Sequence, residues 1–181
     1  MLMQADLSAA LGPIVVPVVS LAVAGSTFNS DLAGTAPNTL PLATRLAQAG
    51  IKPGDIVISD SEINDQYVLH ELPSDYTPNV EQWISTVQSF GAIPVLEEPT
   101  PICQPDMDLA MTADFVSDLH LIATERGVTV LPVTAAFEAF PNWCSALIGP
   151  DFTHLNVTGY AFREAQEFPP LLALVKQALA Q

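Results

Sequence analysis

The hydrophobic positions of this chain of 181 residues fall into short apolar runs separated by longer amphipathic stretches. Short runs rich in valine and isoleucine are typical of buried strands, whereas apolar residues spaced three or four apart are typical of helices. The runs predict strands at residues 14–24, 55–60, 93–96 and 128–133. The spacing predicts helices at residues 5–11, 41–49, 77–90, 108–126 and 158–181. Strands that alternate with helices indicate a parallel sheet covered on both faces, a three-layer α/β/α fold in a single domain over residues 1–181.

Glycine and proline mark the predicted ends of these elements. Gly50, Gly91 and Gly127 each follow the last apolar position of a predicted helix, where a left-handed residue ends it. Pro169 and Pro170 remove backbone donors inside the last helix, so we expect it to bend or restart there. Ligands of such sheets bind beyond the carboxyl ends of strands, so the loops after the four strands are the candidate site.

The charge balance excludes several classes of partner. Hydrophobic residues make up 49% of the chain and charged residues 14%, which is typical of a globular protein. The chain has 20 acidic and 5 basic residues, a formal net charge of -15, and the basic residues are scattered singly. Without a basic patch we expect neither nucleic acid nor an anionic membrane surface as a partner. The longest apolar run, residues 14–24, is too short to span a bilayer.

Two cysteines bear on the cellular compartment. Paired, Cys103 and Cys144 would close a long loop and indicate an oxidising compartment; unpaired, they are ordinary small residues. We favour the disulfide, which predicts a secreted or periplasmic protein, with a cytoplasmic one as the alternative. The segment before Gly25 mimics a signal-peptidase site, but no basic residue precedes it and Asp6 has the wrong charge. Two cysteines without a histidine cluster make a poor zinc site, so we expect no metal and no other cofactor.

An acid and a histidine three residues apart precede the last predicted helix. His154 can act as a general base, because the unperturbed pKa of histidine lies near neutrality, and Asp151 can fix its tautomer. The alternative is an acidic helix cap beside a surface histidine. His70 and His120 are interpreted as a loop residue and a partly buried helix residue.

Asp151-x-x-His154, followed by Gly159-Tyr160, resembles the C-terminal block of the SGNH hydrolases, the GDSL-type esterases and lipases. This resemblance implies that Asp151 orients His154 and that His154 activates a serine nucleophile near the start of the domain. It also implies an α/β fold with a parallel sheet, related to flavodoxin.

A second block of the same family resembles the loop after the second predicted strand. Residues 62–65 resemble Gly-x-Asn-Asp, which implies that the Asn64 side chain donates to the oxyanion, although Glu62 stands where the family has glycine. An amide donor at that place stabilises the charge of a tetrahedral intermediate. The alternative is a simple Asn-Asp turn at a strand exit.

Gly25 and Ser26, after the first predicted strand, align with the family in two ways. As a degenerate Gly-Asp-Ser block they make Ser26 the nucleophile; as the second block they make the Gly25 N–H an oxyanion donor. The second alignment fits better, because one strand and helix separate Gly25 from Asn64 where the family has a further strand. The chain would then lack the family's first strand and its serine, through truncation or loss, or with Ser26 in the serine's place.

These patterns together predict an ester hydrolase whose substrate is a small-molecule, lipid or carbohydrate ester. The alternative is a truncated or inactive SGNH-fold domain that serves as a binding or structural module. A flavodoxin-like nucleotide binder is a weaker hypothesis, because no glycine-rich phosphate loop follows the first strand. Loss of the first strand would expose an edge, so we also expect self-association into a homo-oligomer.

Overall fold

A computed structural model describes residues 2–60, 63–104 and 109–180 of the chain. The helices are α1 (Leu2–Leu11), α2 (Phe28–Ala33), α3 (Leu42–Ala49), α4 (Pro73–Ser89), α5 (Leu109–Arg126), α6 (Thr134–Ala139), α7 (Trp143–Leu147) and α8 (Val157–Leu179). The strands are β1 (Ile56–Ile58), β2 (Ile93–Glu97) and β3 (Thr129–Leu131), and a π-helical turn spans Asn64–Val68. None of the described helices is both long and apolar enough to cross a membrane.

The three strands form one sheet in the order β1-β2-β3. β1 and β2 are parallel, with Ile56 opposite Ile93 and Ile58 opposite Val95. β2 is the central strand and is almost wholly buried, which explains its uninterrupted apolar run. The predicted α/β fold with a parallel sheet is therefore confirmed.

The predicted strand at residues 14–24 is wrong, because residues 14–23 form neither helix nor strand. Pro17 has no N–H for a ladder, and the backbone on either side of it pairs with a side chain instead. Gln4 Nε2 donates to Val16 O at 2.8 Å, and Gln4 Oε1 accepts from Val18 N at 2.7 Å. Val19 is 72% exposed, so this apolar run is not a buried strand. Self-association stays a prediction.

The long helices differ from their predicted bounds mainly at prolines. α3, α5 and α8 lie within two residues of the predicted positions, and Gly50 and Gly127 have φ values of 73° and 64°, as a glycine stop requires. α4 begins at Pro73, so Pro78 lies inside the helix and does not open it. α8 continues through Pro169 and does not restart there.

Three short helices, α2, α6 and α7, are absent from the sequence-based prediction. Each has six residues or fewer, too few for a periodic apolar pattern. α2 begins with a capping box, in which Thr27 and Ser30 each bond the other's backbone N–H.

The chain contacts divide into two compact units. The first comprises Met1–Leu21, Pro101–Pro105 and Leu131–Gln181, and the second comprises Ala22–Thr100 and Asp106–Val130. The buried core of the first unit contains the side chains of Val133, Phe137, Leu147, Ile148 and Leu155. In the second unit, Phe28 contacts Tyr76 and Trp83 edge-on, with ring centroids 5.6 and 6.0 Å apart. That the chain is one domain stays a prediction.

Gly159 allows the first turn of α8 to approach α7 closely. A Cβ at this position would overlap the carbonyl oxygen of Leu147 and lie 3.0 Å from the carbonyl carbon. Both atoms belong to the backbone, so a small side-chain movement cannot relieve the overlap. The close approach therefore brings together the two helices that flank residues 148–156.

Replacement of Gly159 by alanine is expected to lower the free energy of unfolding by about 3 kcal/mol, because the added methyl group forces the two helices apart. Chemical denaturation measures the difference from wild type. Thr158→Ala, at the preceding exposed position of the same helix, is the control and should change it by about 0.5 kcal/mol or less. Equal stability of Gly159→Ala and wild type would contradict the close approach.

Candidate active site

Residues 148–156, here called the dyad loop, form a closed turn between α7 and α8. Ile148 pairs with Leu155 in an antiparallel bridge, and Gly149 N–H donates to His154 O at 2.6 Å. At the tip, Phe152 has a φ of 60° and its N–H donates to Gly149 O at 3.1 Å. A bulky residue in the left-handed region is uncommon and needs support from its surroundings.

Asn156 ties the end of the dyad loop to both flanking helices. Its Oδ1 accepts from Gly159 N–H at 2.9 Å, which caps the N-terminus of α8. Its Nδ2 donates to Ala146 O at 3.0 Å and to Ile148 O at 3.2 Å. One side-chain amide therefore fixes the loop where α8 begins.

Asp151 and His154 form a hydrogen-bonded pair within this loop. Asp151 Oδ2 lies 2.7 Å from His154 Nδ1, and the two side chains are 53% and 76% exposed. Asp151 Oδ1 accepts from the N–H groups of Thr153 at 3.1 Å and of His154 at 3.0 Å. With Nδ1–H donating to the carboxylate, His154 Nε2 carries the lone pair that a general base requires.

The same three hydrogen bonds govern the ionisation of Asp151. The His154 side chain and then the two backbone N–H groups lower the pKa of Asp151 from 3.8 to about 2. Each bond stabilises the carboxylate more than the acid. Asp151 is therefore a permanent anion near neutral pH, able to hold the imidazole in one tautomer.

A disulfide joins α7 to a second segment that contacts the dyad loop. Cys103 and Cys144 are bonded, with their Cα atoms 5.8 Å apart. Cys103 N–H donates to Phe152 O at 2.7 Å. The tip of the dyad loop is therefore hydrogen-bonded to the backbone of Cys103, which the disulfide links to α7.

The second unit contains the other predicted residues and brings two of them together. Asn64 Nδ2 donates to Ser26 O at 2.8 Å. Ser26 is 7% exposed; its hydroxyl donates to Val23 O at 2.6 Å and accepts from Asn38 Nδ2 at 3.0 Å. Gly25 has a φ of 79°, and within the described ranges its N–H has no acceptor. Ser26 thus forms the local hydrogen bonds of a loop serine.

Glu62, where the family has glycine, lies outside the described residues, so its expected effect on Asn64 is not described. His70 is exposed in a loop. His120 on α5 is also exposed, so the prediction that it is partly buried is wrong; its Nε2 lies 2.6 Å from Oε1 of the buried Glu98. In the part of the chain that the structure describes, no cluster of three or more His, Cys, Asp or Glu side chains could hold a metal ion.

Asp65 is a buried acid that the sequence-based prediction left without a role. It is 0% exposed, and its Oδ1 accepts from Phe28 N–H at 3.0 Å at the start of α2. No described group bonds its Oδ2. Burial raises its pKa to about 8, with Glu71 adding to the shift and the Phe28 N–H opposing it. The only signal in the sequence is its place after Asn64, in the Asn-Asp pair.

We expect Asp151 to remain mostly ionised at about pH 3, where an ordinary aspartate is mostly protonated. The carboxyl carbon resonance in NMR spectra reports this directly. In His154→Ala the pKa of Asp151 should rise toward 3.8, because the largest stabilising bond is lost. His120→Ala removes the pair with Glu98 and serves as the control, with no expected change at Asp151. An ordinary Asp151 titration in the wild type would contradict the hydrogen-bonded pair.

Asp65 should make folding stability fall as the pH rises. Because its pKa is raised from 3.8 to about 8, the folded state holds this proton more tightly than the unfolded state. The resulting stability is complete below about pH 4 and is lost as the pH rises through about 8. Asp65→Asn cannot lose that proton, so its unfolding free energy relative to wild type should increase between about pH 5 and pH 9. Asp114→Asn, an exposed acid on α5, controls for the removed charge. A constant difference for Asp65→Asn would refute the raised pKa.

Comparison with known proteins identifies the fold. No protein-family model matches the chain, and no curated protein matches it significantly. Among solved structures, a lipase/acylhydrolase from Enterococcus faecalis is similar with a TM-score of 0.77 and 17% identity, over 95% of this chain and 83% of the other. A candidate SGNH hydrolase from Slackia heliotrinireducens has a TM-score of 0.68 and 19% identity, over 95% and 90%. A variant of the acetyl xylan esterase Axe2 from Geobacillus stearothermophilus has a TM-score of 0.69 and 19% identity, over 96% and 80%. The chain therefore has the fold of the SGNH hydrolases, the GDSL-type lipases and esterases.

Proposed function

We propose that this protein is an ester hydrolase in which Asp151 and His154 supply the acid-base chemistry. The observation that carries the proposal is the 2.7 Å hydrogen bond from His154 Nδ1 to Asp151 Oδ2 on a largely exposed ring. This arrangement leaves Nε2 as the basic atom and keeps a permanent carboxylate behind it. The SGNH-type fold is compatible with such chemistry but does not by itself decide function.

In the proposed mechanism a serine hydroxyl attacks the ester carbonyl while His154 Nε2 accepts its proton. The tetrahedral intermediate collapses to an acyl-enzyme, and the alcohol leaves with the proton from His154. Water then attacks the acyl group by the same route and releases the acid. Asp151 stays ionised throughout, because its pKa is about 2, and stabilises the imidazolium that forms at each step.

We propose Ser26 as the nucleophile, with Gly25 N–H and Asn64 Nδ2 as oxyanion donors. Asn64 Nδ2 donates one N–H to Ser26 O, which leaves its second N–H for a developing charge. Loss of one such donor typically raises the barrier by roughly 3 to 4 kcal/mol. Attack by Ser26 requires that its hydroxyl first give up the 2.6 Å bond to Val23 O.

The proposed substrates are uncharged acyl esters of small alcohols, carbohydrates or lipids. A formal net charge of -15 disfavours anionic substrates, because the field of the whole protein repels them at long range. The names of two structural neighbours, a lipase/acylhydrolase and an acetyl xylan esterase, lie within this class.

We also propose a secreted or periplasmic location. The Cys103–Cys144 disulfide supports it, because such bonds persist in oxidising compartments and are rare in the cytosol.

A second candidate function is a non-catalytic SGNH-fold domain that binds a ligand or partner. The state of Ser26 favours it, because the hydroxyl is nearly buried and both donates and accepts within its own loop. A serine whose hydroxyl forms such local hydrogen bonds stabilises the conformation of its loop.

Covalent labelling by a fluorophosphonate probe, with turnover of p-nitrophenyl acetate, separates the two functions. We expect wild type to be labelled at Ser26, identified by peptide mass spectrometry, and Ser26→Ala to lose both label and turnover. His154→Ala should reduce turnover roughly 100- to 10,000-fold, because the general base is removed. Ser89→Ala, an exposed serine on α4 in the same unit as Ser26, is the matched control and should behave as wild type.

Each other outcome has a definite meaning. Labelling at a different serine would retain the esterase and reject Ser26 as its nucleophile. Absence of both label and turnover in a folded wild-type protein would reject the esterase and support the non-catalytic domain.

A further inference from the structure

Gln104 contacts the dyad loop without being part of any recognised motif. Its Nε2 donates to Asp151 O at 2.9 Å and to Thr153 Oγ1 at 2.9 Å. These two acceptors flank the left-handed Phe152 at the tip of the loop. A single side-chain amide therefore joins both sides of the tip.

The bonds of Gln104 bear on the orientation of the dyad carboxylate. Asp151 Oδ1 accepts from Thr153 N–H at 3.1 Å, so the position of Thr153 helps to aim the carboxylate at His154. Asp151 O also accepts from the Thr153 hydroxyl at 3.3 Å. Gln104 bonds Asp151 and Thr153 at the same time. It therefore helps to fix the distance between Thr153 N–H and the Asp151 carboxylate.

Gln104 can do this because the residue before it is fixed in two ways. Cys103 is covalently bonded to Cys144 at α7, and its N–H donates to Phe152 O at 2.7 Å. Two consecutive residues, 103 and 104, thus donate to three consecutive residues of the loop, 151 to 153. Such pairing supports a tip whose own backbone conformation is unfavourable for a phenylalanine.

We propose that Gln104 is a positioning residue for the Asp151–His154 pair, acting from the segment that the disulfide anchors. It does not touch the reacting atoms; its amide holds the loop backbone so that the carboxylate meets His154 Nδ1 and Nε2 points outward. This inference rests on the proposed esterase function for its kinetic consequence, but not for its structural one.

Two substitutions of Gln104 test the proposal in the full-length protein. Gln104→Ala removes the amide, and Gln104→Met keeps a similar length and bulk without N–H donors and without adding a charge, which separates lost hydrogen bonds from lost packing. In both variants we expect the pKa of Asp151 to rise from about 2 toward 3.8, because the hydrogen bonds that stabilise the carboxylate are weakened. The carboxyl carbon resonance in NMR spectra measures this pKa. Gln177→Ala, an exposed glutamine of α8 in the same unit, is the control.

The kinetic arm gives a second, separate readout. Both variants should lower kcat for p-nitrophenyl acetate by roughly 10- to 100-fold with KM little changed, because a misplaced base slows chemistry and not binding. A merely structural role would lower stability and leave kcat per folded molecule unchanged.

The two arms distinguish failure of this inference from failure of the proposed function. If wild type does not turn over esters but the Asp151 titration shifts in both variants, the esterase fails and the positioning role stands. If the titration is that of wild type in both folded variants, Gln104 does not position the pair and the inference is overturned, whatever the turnover.

Discussion

The hydrogen bond from Gly149 N–H to His154 O closes the dyad loop, and the geometry of the Asp151–His154 pair depends on that closure. Within the closed loop, two backbone N–H groups point at Asp151 Oδ1 and leave Oδ2 for the imidazole. Asn156 attaches the loop to α7 and α8, and the N–H of Cys103, whose side chain is disulfide-bonded to α7, donates to Phe152 O at the tip. The geometry of this exposed pair is therefore set by hydrogen bonds to the backbone and not by burial of the side chains.

Two aspartates of this chain show how opposite environments produce opposite chemistry. Asp151 is exposed and accepts three hydrogen bonds, so its pKa falls to about 2. Asp65 is buried with one carboxyl oxygen bonded by a backbone N–H, so desolvation dominates and its pKa rises to about 8. At neutral pH the first is an anion suited to orienting an imidazole. The second is largely a neutral acid that joins the π-helical turn to α2.

The two compact units each contain a different part of the proposed catalytic machinery. The first holds the acid-base pair, and the second holds a hydroxyl and an amide donor within one hydrogen-bonded network around Ser26. In that network the Ser26 hydroxyl donates its only proton to Val23 O, which stabilises the loop and opposes nucleophilic attack. The balance between these two roles decides whether Ser26 can act as the proposed nucleophile, and the fold alone does not decide it.

The sequence by itself determined the alternation of strands and helices, the glycine stops at Gly50 and Gly127, and the spacing of Asp151 and His154, because these depend on local periodicity and on residues close in the chain. It could not predict that residues 14–23 lack strand structure, since an apolar run does not reveal whether a neighbouring strand or the Gln4 side chain will bond it. The burial of Asp65 and the contacts of Gln104 with the dyad loop were likewise decided only by tertiary structure. The hydrogen bond of Asp65 joins residues 37 positions apart, and that of Gln104 to Asp151 joins residues 47 positions apart. No local sequence pattern shows which distant groups will meet.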